Sequence, residues 1–114
     1  MLGDLNNGPA VDGITGVTKA IFEENYEKAS QAGFTSANFN SEQPFCTFCA
    51  DENFIYTTEQ PDELIDHVFV RNAETSEPMR FLDEPVFIPL PDGTSLPVNY
   101  SDHFGSKAKA VWRP

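Results

Sequence analysis

The sequence predicts an α+β chain with few helices, and three observations carry that reading. One stretch, from about Thr18 to Ala32, spaces its apolar residues as a helix does. Two others, Leu64–Arg71 and Ser106–Trp112, alternate with the two-residue period of a strand. The remainder is dominated by the Gly, Pro, Asn and Asp of turns and loops. With 114 residues the chain can form one domain around a modest core. Hydrophobic residues make up 39% and ten of them are Phe, which is too apolar for a disordered chain.

Taken in order, Met1-Leu2 reads as the end of a buried strand, and Gly3 to Val11 as a loop whose Asn6-Asn7-Gly8-Pro9 is turn chemistry. In the helix, Ile21, Phe22, Tyr26 and Ala29 form the apolar stripe, and Gly33 stands where a C-terminal cap belongs. Phe34 to Cys49 reads as a long loop with one short strand, and Phe54-Ile55-Tyr56-Thr57 as a further strand. Leu64–Arg71 is apolar on both faces, so it is a central strand buried on both sides. Pro78–Leu82 is a weaker strand candidate. Val86-Phe87-Ile88 is extended but runs into prolines, which marks an edge or a loop, and Asp92-Gly93 marks a tight turn. In the last strand Ala108, Ala110 and Trp112 face one way, while Lys107, Lys109 and Arg113 face the other beside Val111. Trp112 and the phenylalanines are core candidates.

Composition narrows the function classes. The formal net charge is −11, from 18 acidic and 7 basic residues, which sets the general surface against nucleic-acid phosphates. No apolar run approaches the roughly 20 residues of a transmembrane helix, and no signal peptide is visible. Cys46 and Cys49 form a single C-x-x-C. Zinc would want four ligands, and both histidines sit in other motifs. The pair reads as structural, either as two small half-buried side chains or as a local disulfide.

Three polar clusters lie beside apolar runs: Gly3-Asp4-Leu5-Asn6, Ile65-Asp66-His67-Val68-Phe69-Val70 and Ser101-Asp102-His103. They supply three carboxylates, an amide and two imidazoles, a set suited to divalent-metal phosphoester hydrolysis. Plainer readings stand beside this one. Asp4 and Asn6 suffice for an Asx turn before Gly8-Pro9, and Ser-Asp-His in a loop is common. Asp66 is harder to explain away, because a buried carboxylate needs a partner. His67 reads as a packed ring with one hydrogen bond.

The order and spacing of G-D-x-N, I-D-H-V-F-V and S-D-H resemble the endonuclease/exonuclease/phosphatase superfamily, the deoxyribonuclease I-like fold. Gly33-Phe34 after the helix fits it too. Cys46-Thr47-Phe48-Cys49 followed by Asn53 is similar to a cysteine-threonine-aromatic stretch of the neutral sphingomyelinase-like members. The resemblance runs from Met1 to about Trp112. It implies that residues 1–114 are the C-terminal half of a two-sheet α/β sandwich. The N-terminal half would carry a metal-binding Glu, an Asn and a further His, and any targeting segment would belong to it.

The same resemblance implies a Mg²⁺-dependent phosphodiesterase. His103 would be the general base, Asp66 would orient its ring, and Asp102 would sit at the metal. Asp4 would position the water or assist the leaving group, and Asn6 would bind a phosphate oxygen. The substrate would be a phosphodiester such as a lipid headgroup, with nucleic acid less favoured by the charge. A nuclease or an inositol- or sugar-phosphate phosphatase of the same fold is the alternative within that class, and a non-catalytic acidic binding module is the alternative outside it. A lone half-sandwich would also leave apolar surface uncovered beside Leu64–Arg71 and Ser106–Trp112, and so would self-associate.

Overall fold

Strand β5 (Asp66–Val70) organises the body of the molecule, lying between β1 (Leu2–Asp4) and β4 (Thr35–Ser36) in an antiparallel sheet of order β1-β5-β4. The structure, a computed structural model, describes residues 1–13, 16–55 and 61–112. Three antiparallel ribbons complete the strands: β2 (Val11–Gly13) with β3 (Gly16–Thr18), β6 (Ala73–Phe81) with β9 (Gly105–Trp112), and β7 (Val86–Pro89) with β8 (Ser95–Val98). One helix, α1 (Glu23–Gln31), crosses between β3 and β4. Among the described residues the architecture is therefore mixed, strand-rich and poor in helix, built from small antiparallel sheets.

The central-strand expectation holds at β5, although regular pairing covers Asp66–Val70 and not the whole of Leu64–Arg71. His67 and Phe69 are buried. The rings of His67, Phe69 and Tyr26 meet at centroid distances of 4.8–5.6 Å and form the core under α1. A second core gathers the Cys46–Cys49 disulfide and Phe104, all within 1% of full burial. The disulfide settles what the sequence left open.

The helix is shorter at its start than its spacing predicts. Ile21 is drawn into a bridge with Gly8, exchanging N–H···O bonds of 2.9 and 3.0 Å, and Phe22 follows with φ of 43°. A left-handed residue ends helical propagation, so the helix begins at Glu23 and Phe22 points to solvent, outside the expected stripe. Its end is as read. Gly33, at φ 82°, donates to the Ser30 carbonyl and Phe34 donates to that of Ala29. These two bonds make a Schellman motif. Gly8 is required by crowding, since a Cβ there would stand 1.7 Å from the Leu64 carbonyl oxygen.

Several other expectations change. Pro78–Leu82 is part of the nine-residue β6, which pairs from Ala73↔Trp112 to Phe81↔Gly105 with a bulge between Ser76 and Met79. Val86–Ile88 is a true strand of a hairpin, closed through Asp92, whose Oδ1 accepts from the Thr94 N–H and hydroxyl. Phe54-Ile55 forms a turn and not a strand, while Tyr56, Thr57 and Arg113 lie outside the described residues. Leu2 is 76% exposed because β1 is an edge strand, paired among the described residues with β5 alone. Trp112 and Phe87 are also exposed, at 66% and 65%, because the end of β9 and the β7–β8 hairpin run beyond the two cores.

That extension shows in the dimensions. The molecule measures 59 × 27 × 21 Å with a radius of gyration of 15.7 Å, against about 13 Å for a compact chain of this length. Its accessible surface is 7110 Å², against roughly 6,200 Å² for a compact monomer of this mass. Uncovered apolar surface lies on the ribbons and also at Met1 and Leu2 beside β5, whose buried face is closed by Tyr26 and its neighbours.

His67 generates a stability prediction. Its Nε2–H donates to the Asn7 carbonyl at 2.8 Å, and its Nδ1 accepts from the Ser36 hydroxyl at 2.9 Å. The ring therefore makes two hydrogen bonds, one more than expected, and both suit the neutral form. Burial pulls the His67 pKa below the ordinary 6.5, outweighing the pull of Asn7, Asp66 and Leu64 toward protonation. A depressed histidine pKa contributes stability above the unfolded value, and that stability is lost as pH falls below it. Urea unfolding between pH 8 and 5 should therefore show wild type losing stability faster than His67→Gln, by up to about 1.4 kcal/mol per pH unit for one proton. Parallel pH profiles would refute this.

Candidate active site

The register of β1 against β5 places Asp4 directly opposite Asp66 at one end of the sheet. The loop before β9 brings His103 to the same place. Its Nδ1 stands 2.8 Å from Asp66 Oδ2, across 37 residues of sequence. One ligand atom from each of Asp4, Asp66 and His103 lies within 4.8 Å of the other two. His103 and Asp66 are about one-fifth exposed, at 22% and 18%, so the pair is sheltered but open to a small ligand. Asp4 is exposed.

The local sequence explains how each group is held. Asp4 caps its own turn: Oδ1 accepts the Asn6 N–H at 2.8 Å, and Oδ2 accepts from Asn6 Nδ2 at 3.4 Å. The plain Asx-turn reading is thus realised, and the same turn points Asp4 at Asp66. The His103 loop is fastened by two buried asparagines. Asn53 Nδ2 donates to the Ser101 carbonyl at 2.8 Å, and Asn99 joins the Phe54 N–H to the Asp83 carbonyl. The Phe48 ring meets His103 edge-on at 5.3 Å. Asp102, expected at a metal, is exposed beside the pair, accepts from the Ser101 hydroxyl at 3.2 Å and is outside the three-residue group.

Asp66 accepts from His103 Nδ1, which fixes the proton on that nitrogen and leaves Nε2 as the basic one. Burial lowers the His103 pKa, but the Asp66 hydrogen bond and the charges of Asp66, Asp4 and Asp102 outweigh it and hold the pKa above 6.5. Two carboxylates directly opposite on paired strands repel one another, so this end of the sheet favours a cation between them. Mg²⁺ takes one or two protein carboxylates and completes its shell with water and phosphate oxygens. Asp4 and Asp66 fit that demand. His103 Nδ1 is already engaged and does not.

A second cluster is excluded as a metal centre. Cys46, Cys49 and Glu52 are close enough to ligate one ion, but the two sulfurs are bonded to each other. Arg80 also occupies the cation position. It donates to Cys49 Sγ at 3.3 Å, pairs with Glu52 at 2.6 Å and Asp83 at 2.9 Å, and stacks over Phe104 at 4.8 Å. Sequence reading missed this role of Arg80 and the roles of Asn53 and Asn99. Asn53 stands in the family resemblance, but no local pattern gives it, Asn99 or Arg80 a partner. Asp62, pushed up to about 6 by burial and then by Asp51, forms an acid pair away from the site.

No protein-family model, curated protein or solved structure matches the chain.

The disulfide makes a measurable contribution. Closing a loop this short removes unfolded-chain entropy worth roughly 2 kcal/mol. The double variant Cys46→Ser/Cys49→Ser should lose about that much in urea or thermal unfolding, and a loss below roughly 0.5 kcal/mol would show that the bridge is incidental.

Proposed function

We propose that the chain is part of a divalent-metal-dependent phosphodiesterase of the endonuclease/exonuclease/phosphatase kind, sphingomyelinase-like, in which His103 is the general base. The observation that carries this reading is the 2.8 Å contact between His103 Nδ1 and Asp66 Oδ2, beside Asp4, formed by residues from three separate parts of the sequence. Such convergence is what a base-plus-orienter pair requires. In this reading Asp66 holds the imidazole so that Nε2 can take a proton from water attacking phosphorus. Asn6 is within reach of Asp4 and offers amide hydrogens to a phosphate oxygen. Asp4 and Asp66 would hold Mg²⁺, which when bound supplies charge neutralisation at the phosphate. Asp102 adds negative charge near His103.

The half-sandwich assignment is part of the proposal. Supporting it are the apolar side chains left exposed on the ribbons, Phe87, Ile88, Leu96, Val111 and Trp112. A missing N-terminal layer and its Glu would complete both the sandwich and the metal site. The net charge of −11 favours a lipid-headgroup diester over nucleic acid.

The test is hydrolysis of bis-p-nitrophenyl phosphate and of sphingomyelin with and without Mg²⁺. The 114-residue chain should turn over little of either. Joined to an N-terminal half it should hydrolyse a diester, lose activity in EDTA, and lose roughly 10²–10⁴-fold in kcat on His103→Ala. Undiminished turnover by His103→Ala would end the proposal, and rapid turnover by the 114-residue chain would end the half-sandwich assignment.

A further inference from the structure

The bond between Asp66 and His103 joins two side chains whose backbones belong to different parts of the fold. One residue holds both backbones. Thr47 is fully buried, between the two bonded cysteines. Its Oγ1 accepts the N–H of Ile65 at 3.2 Å and the N–H of Asp66 at 3.0 Å. Its carbonyl accepts the N–H of Phe104, next to His103, at 2.7 Å. Its own N–H donates to the Glu63 carbonyl at 3.0 Å. A hydroxyl has two acceptor lone pairs, and here both are engaged by N–H groups at the start of β5. The next residue, Phe48, supports the His103 ring.

We propose that Thr47 is the positioning residue of the His103–Asp66 pair, fixing the Asp66 backbone through its hydroxyl and the His103 loop through its carbonyl. The catalytic consequence rests on the reading of that pair as base and orienter, whereas the structural consequence does not. A hydroxyl is required at this position. Valine has the same shape but offers no acceptor, so two buried N–H groups would lose their partner and the start of β5 would shift to find others. A side-chain bond of 2.8 Å does not survive a displacement of 1 Å or so.

The two histidines of the chain supply the readout. His103 carries its proton on Nδ1 toward Asp66, while His67 carries its proton on Nε2 toward Asn7. Imidazole ¹⁵N shifts of the 114-residue chain, followed upward in pH until both rings are neutral, distinguish the two tautomers. In Thr47→Val, His103 should revert toward the Nε2–H form favoured by a free imidazole, while His67, whose ring is bonded to Ser36 and Asn7, should be unchanged. Thr47→Ser, which keeps the hydroxyl, should match wild type at both. If Thr47→Val disturbs His67 as well, Thr47→Ala removes the acceptor without new bulk, and the same two signals decide. His103 remaining Nδ1–H in the acceptor-free variant, or changing equally in Thr47→Ser, would overturn the proposal.

In the extended enzyme, Thr47→Val should lower kcat by roughly 10²-fold with little change in KM, and Thr47→Ser should restore it. Should His103→Ala leave hydrolysis intact while the tautomer result holds, the catalytic reading fails and the positioning inference stands.

Discussion

Everything near the candidate site depends on how the start of β5 is satisfied. A strand whose ladder begins at Asp66 must still pair the N–H groups of its first residues, and those groups are buried. Leaving them unpaired costs about 1–3 kcal/mol each. The chain meets this demand with a side chain and not with another strand, namely the Thr47 hydroxyl. Because Thr47 is also bonded to Glu63 and Phe104, the same residue that completes β5 sets the height of the His103 loop. The Cys46–Cys49 bridge and the Arg80 clamp hold the short segment around it. Structural satisfaction and site geometry are one arrangement here.

Burial follows the same logic elsewhere. Ser36, Asn38, Thr47, Asn53, His67 and Asn99 are all almost wholly inaccessible, and each has identified partners. Asn38, for instance, grips both the N–H and the carbonyl of Phe45. A core with this much polar surface gains less from apolar burial than a hydrocarbon core, but its hydrogen bonds are directional. They specify one loop path across residues 36–53, where regular secondary structure is nearly absent. The loop that carries Thr47 to Asp66 and Phe104 is therefore as determined as a strand would be.

This explains what the sequence could and could not reveal. Period-two alternation exposed β5 and β9, and Gly33 exposed the helix end, because these signals arise within a few residues. The pairing of Asp66 with His103 was legible as a chemical need, since a carboxylate in an apolar strand must find a partner. The start of α1 was not legible, because Gly8 captures Ile21 from a distance and no local pattern records that. Nor was the exposure of Trp112 and Phe87, since alternation identifies which residues share a face but not whether another layer covers it. Thr47 stands in the family resemblance, but nothing local gives it a role, because its bonds to Ile65 and Asp66 exist only once β5 is in place.

Charge and apolar surface pull the isolated chain in opposite directions. A net charge of −11 repels copies of the chain from one another, but that repulsion is screened within about 8 Å at physiological salt. Apolar burial is not screened. The side chains of Phe87, Ile88, Leu96, Val111 and Trp112 are about half to two-thirds exposed, and covering what remains is worth roughly 1–2 kcal/mol each. Covering several of them exceeds what a screened, dispersed surface charge can oppose. Negative charge also gathers around His103, where Asp66, Asp4 and Asp102 raise its proton affinity. A cation at Asp4 and Asp66 would relieve the repulsion of the facing carboxylates and, by the same electrostatics, free the imidazole to act as a base. On the proposed reading, the acidity that would set the general surface against nucleic acid would also prepare one end of β5 for a divalent ion.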